Sequence, residues 1–260
     1  MLSALAVDPV HTDGAFAHPR AQVGAHLFVG RQGIQDATGA VHGYEFLYRA
    51  GRQHSLRVDM WPAAAQDRAT LRVLQAVFTP TGVRAVAADA LVFVNFTRAF
   101  LVGDLPLPDA PQRLVVEVVE SVRTDAAVIA GVRRLRSHGY RIAIDDFVGL
   151  TSQIALLPYA DYVKVDCRDL AARGPALAVL AGSTGARLIA EHVETREQLD
   201  LCLALGFRLF QGFYLDTTIV LNRTPVTSPR AERPATLTPG VARPRTAGAP
   251  LGPAFPLAAR

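Results

Sequence analysis

The sequence predicts an α/β fold, a modified (βα)8 TIM-like barrel with an irregular antiparallel first strand, and three observations predict it. Short apolar segments rich in Val, Ile, Leu and Phe recur between residues 26 and 215. Several are apolar at successive positions, as strands buried on both faces of a parallel sheet must be. Between them lie segments with apolar residues at helical spacing, so strand and helix alternate.

The strand segments, in order, are His26–Arg31, Ala40–Tyr48, Ala90–Phe96, Arg113–Val119, Arg141–Phe147, Tyr162–Asp166, Arg187–His192 and Phe207–Leu215. The first two read as an antiparallel hairpin whose turn carries Asp36-Ala-Thr-Gly39. A helix over 62–77 sets Ala63, Ala64, Leu71, Leu74 and Val77 on one side. A second helix, 125–138, takes Thr124 as its N-cap and Gly139 as its C-terminal stop. A third, 196–205, follows Thr195 and stops at Gly206. No helical pattern after Leu215 closes the last strand. A barrel of this kind gathers its functional groups at the carboxyl ends of the strands.

Charge and composition set the domain limits. Residues 1–22 are irregular, with His11, Gly14, His18 and Pro19 breaking any period. The barrel domain is predicted over 23–215. Residues 216–260 hold eight of the seventeen prolines and six Arg against Asp216 and Glu232, with no hydrophobic period, which predicts a disordered Pro/Arg/Thr/Ala-rich tail. The net charge of +4 belongs to that tail, because residues 1–215 balance 21 basic against 21 acidic groups. No nucleic-acid partner is therefore expected of the folded domain. There is no apolar run of about eighteen residues for a membrane span. The N-terminus lacks the basic and apolar regions of a signal peptide, and two cysteines imply no disulfide framework. A cytoplasmic location is expected.

The scarce polar residues mark a site. The chain contains one lysine, Lys164, against 26 arginines, which suggests a position where a compact ammonium fits and a planar fork does not. As a strand-end charge it is expected to contribute little to stability. Glu45, Glu117, Glu120, Glu191 and Glu194, five of the seven glutamates, fall at or near predicted strand ends, as does Asn95. Glu45, Leu47 and Arg49 stand two apart and so share a strand face. Asp145 and Asp146 end one strand, Lys164 and Asp166 share a face of the next, and Gln211 precedes Gly212 on the last. Oxygen ligands converging from separate strands, without Cys or paired His, suit a hard cation such as Mg²⁺ or Mn²⁺. Adjacent aspartates can lean toward two ions about 4 Å apart, the arrangement used for phosphodiester cleavage.

The ordered series resembles the EAL domain, the family of cyclic-di-GMP phosphodiesterases. Its motifs stand here as Glu45-Phe-Leu47-Tyr-Arg49, Asn95-Phe-Thr, Glu117-Val-Val-Glu120, Asp145-Asp146-Phe, Lys164-Val-Asp166, Glu191-His-Val-Glu194-Thr and Gln211-Gly-Phe. The opening Val29-Gly-Arg-Gln-Gly-Ile and the short gap between Lys164 and Glu191 look most like the branch in which an EAL domain precedes an HDOD domain. The proline-rich tail stands where that second domain would come.

The resemblance implies that Glu45, Asn95, Glu117 and Asp145 ligate a first metal, with Asp145 bridging to a second near Asp146 and Glu191. It implies that Lys164 orients or activates the attacking water, with Glu191 and Asp146 beside it in the catalytic set. Leu47 and Arg49 would hold the substrate. Asp166, Glu194 and Gln211 would support the site, and Glu120 would pin the loop after Asp146. Implied partners are cyclic-di-GMP and a second copy of the chain in a homodimer, with no membrane. The chain departs from the family at Val148-Gly149-Leu150, where the family usually has Gly-Thr-Gly, and at His192, where it usually has Gly. Loss of two glycines removes access to positive φ, and a loop that pins Asp146 poorly predicts slow turnover. The function expected is metal-dependent hydrolysis of cyclic-di-GMP to the linear dinucleotide. The alternative is a weak or inactive EAL domain acting as a nucleotide-binding or protein-interaction module.

Overall fold

The computed structural model describes residues 27–50, 58–79 and 82–223. The expected irregular segment 1–22, and 224–260 of the expected tail, lie outside the described residues.

Strands β1 (Leu27–Gln35) and β2 (Val41–Arg49) form the predicted hairpin. At its turn, Asp36 Oδ1 accepts hydrogen bonds from the amides of Thr38 (2.8 Å) and Ala40 (3.1 Å), and Gly39 takes a positive φ of 85°. Beyond β2 the chain alternates as predicted: β3 (Leu91–Phe96), β4 (Leu114–Val118), β5 (Arg141–Ile144), β6 (Tyr162–Asp166), β7 (Arg187–Glu191) and β8 (Leu209–Phe210) pair in parallel in sequence order. Strand β8 meets β1 at Phe210 and Gln35, and the antiparallel β1–β2 pairing completes an eight-stranded closed barrel.

The helices number eight among the described residues: α1 (Ala63–Val77), α2 (Gly82–Ala87), α3 (Arg98–Val102), α4 (Ala126–Ser137), α5 (Thr151–Ile154), α6 (Cys167–Arg173), α7 (Pro175–Ala181) and α8 (Arg196–Ala204). The three longest are those that the hydrophobic spacing predicts. Residue 125, not 124, caps α4: the Asp125 carboxylate accepts from the amides of Ala127 and Val128, while the buried Thr124 hydroxyl has no hydrogen bond among the described residues. Thr195 caps α8 as expected.

The sheet also runs past Leu215, the boundary read from sequence. A ninth strand, β9 (Ile219–Arg223), pairs antiparallel with the Leu27–Arg31 half of β1. Just before it, Asp216 Oδ2 accepts the Gly33 amide at 3.2 Å. The tail's composition hid this strand, because Ile219-Val-Leu is an apolar run of only three residues, shorter than a strand signal. Among the described residues no helix follows β8, and β9 covers part of the β1 edge instead.

Two apolar layers follow from strand parity. Inside the barrel, one residue from each of seven strands (Ile34, Phe93, Val115, Ala143, Tyr162, Ile189 and Leu209) forms a buried plug. Their sequence neighbours, such as Val92, Val94, Val116 and Val163, point outward into a larger core under the helices. Two positions along from the plug, on the same face, come Asn95, Glu117, Asp145, Lys164, Glu191 and Gln211. The period of two thus stacks a polar layer on an apolar one.

Close packing of helices depends on Gly131 in α4, where an added Cβ would lie 1.9 Å from the Leu101 carbonyl oxygen at the end of α3. Helix propensity alone would make Gly131→Ala stabilising by about 1 kcal/mol, but overpacking costs about 1–3 kcal/mol. Denaturant unfolding of Gly131→Ala should therefore show a net loss of up to about 2 kcal/mol. A gain would mean that the α3–α4 contact gives way freely.

Candidate functional site

The polar layer forms the floor of a cavity of about 670 Å³ at the carboxyl ends of the parallel strands. Lys164 sits at its centre. It is the third residue of β6, not its end, and only 1% exposed, which corrects the strand-end placement read from sequence. The parity that buries Tyr162 in the plug also turns Lys164 inward. Its Nζ lies 2.8 Å from Asp145 Oδ1, 3.0 Å from Glu117 Oε1, 3.0 Å from Glu191 Oε1 and 3.5 Å from Glu45 Oε1. One ammonium thus faces four carboxylates drawn from β2, β4, β7 and the end of β5.

Neighbouring side chains fix this ring. Gln211, after β8, donates from Nε2 to Glu45 Oε2 at 2.5 Å and to Gln32 Oε1 at 3.3 Å. Gln32 is paired with Glu45 across the β1–β2 hairpin. Sequence reasoning passed over Gln32 because β1 runs against the other strands, so it enters the polar layer ahead of its plug residue Ile34. Leu47 and Arg49 line the same cavity as Glu45, as do Phe46 and Tyr48 between them.

Burial first, and then the crowding of like charges, pushes the Glu117 and Glu191 carboxyls well above the usual range, despite the attraction of Lys164. Burial and then the Asp145 charge raise Asp146 to about 7. Burial works against the Lys164 charge, but Asp145, Glu117, Glu191 and Glu45 outweigh it and hold the ammonium protonated. The ring carries more negative charge than one lysine balances.

The donor set fits a hard cation. Asn95 Oδ1, Glu117 Oε2 and Glu191 Oε2 are buried without hydrogen bonds among the described residues, and all are oxygens suited to Mg²⁺ or Mn²⁺. At the rim, Glu120, Asp145 and Asp146 bring one carboxylate oxygen each within 4.8 Å of one another.

The loop after Asp146 differs from expectation in its mechanics. Positive φ falls on Asp146 (42°) and Gly149 (77°), whereas Leu150 has φ −66°, so replacing glycines at 148 and 150 blocks no turn. Gln153 of α5 ties the segment down. Its Oε1 accepts from the amides of Val148 (2.9 Å) and Leu150 (3.2 Å), and its Nε2 donates to the carbonyls of Asp146 (2.8 Å) and Asp145 (3.4 Å). A four-residue helix without a capping side chain gave no signal for it.

Two expected supporting residues make their contacts outside the carboxylate ring. Asp166 is buried but turns from the carboxylate ring to cap α6, bind the Arg168 guanidinium and meet His192 Nδ1 at 3.0 Å. Glu194 is exposed and outside the cavity wall, with its amide donating to Gln198 Oε1 at 2.7 Å.

A carboxyl whose folded pKa lies above its unfolded value of about 4 binds more protons folded than unfolded, so stability falls as pH rises between the two. Glu117, Glu191 and Asp146 all shift this way. In EDTA, the unfolding temperature should fall between about pH 5 and pH 7.5, and divalent cation should restore it most at the upper end. A flat profile would contradict this. In EDTA at neutral pH, Lys164→Met should cost about 3 kcal/mol by leaving the carboxylates without a cation.

Comparison with known proteins agrees with this geometry. Residues 32–217 match the family model described as the EAL domain. The protein YuxH of Bacillus subtilis is 29% identical over 202 residues, covering 75% of this chain and 48% of YuxH. Cyclic di-GMP phosphodiesterase CdgJ of Vibrio cholerae is 30% identical over 199 residues, covering 75% of this chain and 45% of CdgJ. The chain spans about half the length of these curated relatives. Among solved structures, the PaMucR phosphodiesterase in complex with c-di-GMP superposes with a TM-score of 0.60 at 24% identity, covering 74% of this chain and 92% of that one. BlrP1 of Klebsiella pneumoniae, in a manganese and c-di-GMP complex, gives 0.61 at 23% identity, covering 77% and 61%. These likenesses establish a shared fold, and with most of its length matched by the family model the chain belongs to the EAL domain family.

Proposed function

We propose that the cavity binds cyclic-di-GMP and that the chain hydrolyses it to the linear dinucleotide with Mg²⁺ or Mn²⁺. Water adds across one phosphodiester P–O bond, leaving a terminal phosphate and a free hydroxyl. The observation that carries this reading is the ring of four carboxylates around Lys164, with further buried oxygens left without hydrogen bonds. The relative CdgJ is named as a cyclic di-GMP phosphodiesterase, and BlrP1 is known in complexes with c-di-GMP and manganese or calcium.

Glu45, Asn95, Glu117, Asp145, Asp146 and Glu191 would hold the ions. When bound, the ions would polarise a phosphate oxygen and lower the pKa of a coordinated water. The chain's own part is positioning. Gln211 fixes the Glu45 carboxylate, and Lys164 Nζ places its donors among Asp145, Glu117 and Glu191. Arg49, lining the wall at the end of β2, would hold a phosphate through its planar fork. Gln153 holds the backbone of both aspartates, so the altered loop limits turnover only to the extent that this clamp yields. Leu150 and Ile154, exposed on that loop and on α5, would suit contact with a second copy of the chain.

Purified protein with Mn²⁺ or Mg²⁺ should convert cyclic-di-GMP to the linear product, read by chromatography, and EDTA should stop it. Ca²⁺ should bind without supporting turnover, since it lowers the pKa of water less. Glu45→Ala should abolish product, and Lys164→Arg should keep the charge yet lose most of the rate because the fork does not fit. Gln153→Ala should lower kcat on the order of a hundredfold by loosening the two aspartates, with nucleotide affinity little changed. Product formed at full rate in EDTA would reject the reading.

A further inference from the structure

Across the barrel from Arg49, four strands away around the closed sheet, a second guanidinium lines the cavity: that of Arg168, in the first turn of α6. Arg168 is held by one edge. Its Nε donates to both Asp166 oxygens at 3.0 Å, and its Nη2 reaches Asp166 Oδ2 at 2.5 Å. A guanidinium is planar with five N–H donors, so this grip leaves the end edge, Nη1 and the outer N–H of Nη2, as a fixed pair of parallel donors. The side chain is 72% exposed and the residue lines the cavity, so these donors are within reach of a ligand there.

The same carboxylate also holds an aromatic ring. His192 Nδ1 lies 3.0 Å from Asp166 Oδ2, and the ring is about half exposed at the cavity wall. Its backbone takes φ 52°, a left-handed conformation that costs an L-residue roughly 1 kcal/mol and that glycine would adopt freely. The chain thus keeps a strained aromatic residue beside an oriented pair of donors.

We infer that Arg168 and His192 form a guanine pocket, with Arg168 reading the base edge and His192 offering a stacking face. This rests on the cavity being a cyclic-di-GMP site. Guanine presents two adjacent acceptors, N7 and O6, that match the Arg donor pair, whereas adenine places an amino donor at the second position. A phosphate fits the same fork, but the charges of Asp166, Asp146 and Asp169 surround Arg168 and disfavour a further anion there. A neutral base meets no such penalty, and the ring beside it offers a face on which a base can stack. Arg168 is on this account a specificity-determining residue, distinct from the acidic floor.

Titration calorimetry of the full chain in Ca²⁺, with cyclic-di-GMP and with cyclic-di-AMP, tests the inference. The unmodified chain should prefer the guanine ligand by about tenfold or more. Arg168→Lys keeps a cation for Asp166 but loses the fork, so it should lose that preference through weaker cyclic-di-GMP binding, with the unfolding temperature unchanged. Arg168→Gln should do the same. His192→Gly should weaken both ligands by a similar factor of about ten, because stacking does not distinguish the bases, without lowering the unfolding temperature. Equal loss of both ligands in Arg168→Lys, or no loss, would overturn the inference. An unmodified chain that binds neither nucleotide would instead reject the cyclic-di-GMP reading itself.

Discussion

Everything at the carboxyl end of this barrel is governed by one electrostatic constraint, the burial of a single ammonium among four carboxylates. Taking each ion out of water costs several kcal/mol, recovered only when the partners are close and held still. The closed sheet supplies that rigidity, because every member of the ring leaves from a hydrogen-bonded strand or the residue just after one. A surplus of negative charge remains even so, and it gives the site its appetite for cations.

The apolar plug underneath makes the arrangement affordable to fold. Ile34, Phe93, Val115, Ala143, Tyr162, Ile189 and Leu209 close the barrel below the polar layer. Water therefore reaches the carboxylates from the cavity side alone, and Glu117, wholly buried, feels the low-dielectric interior most. The same pleat that orders the hydrophobic packing orders the charges above it. A one-residue slip would exchange a polar-layer residue for an outward-facing apolar neighbour, such as Val94, Val116 or Val163.

Much of this was legible in the sequence. Apolar runs identified the strands, since Val, Ile, Leu and Phe fill both faces of the parallel strands below the polar layer, and motif order brought Glu45, Leu47 and Arg49 to one cavity. Capping chemistry was read one residue early at α4, because Thr124 and Asp125 are both capping types and only geometry chooses between them. The short helices escaped detection because four to seven residues make at most about two turns, too few for a period to repeat. The depth of Lys164 was missed for a different reason: its burial depends on partners distant in sequence, so the local run Tyr-Val-Lys-Val-Asp gives no sign of it. Gln153 and Gln32 were missed likewise, as uncharged residues whose roles arise from the backbone they meet. Glu194 was placed at the site by motif order alone, and the structure leaves it facing solvent.

Strand β1 pairs with three others: β2, which follows it directly, and β8 and β9, which lie nearly two hundred residues further on in sequence. The barrel therefore closes only once β8 exists, and the edge of β1 is covered only once β9 follows. During synthesis the early hairpin must wait with an uncovered edge, while local strand–helix units form behind it. Such distant pairing slows folding and lengthens the interval in which an exposed edge can meet another chain. The charged and polar residues Arg31, Gln32 and Gln35 on β1 are well suited to that wait.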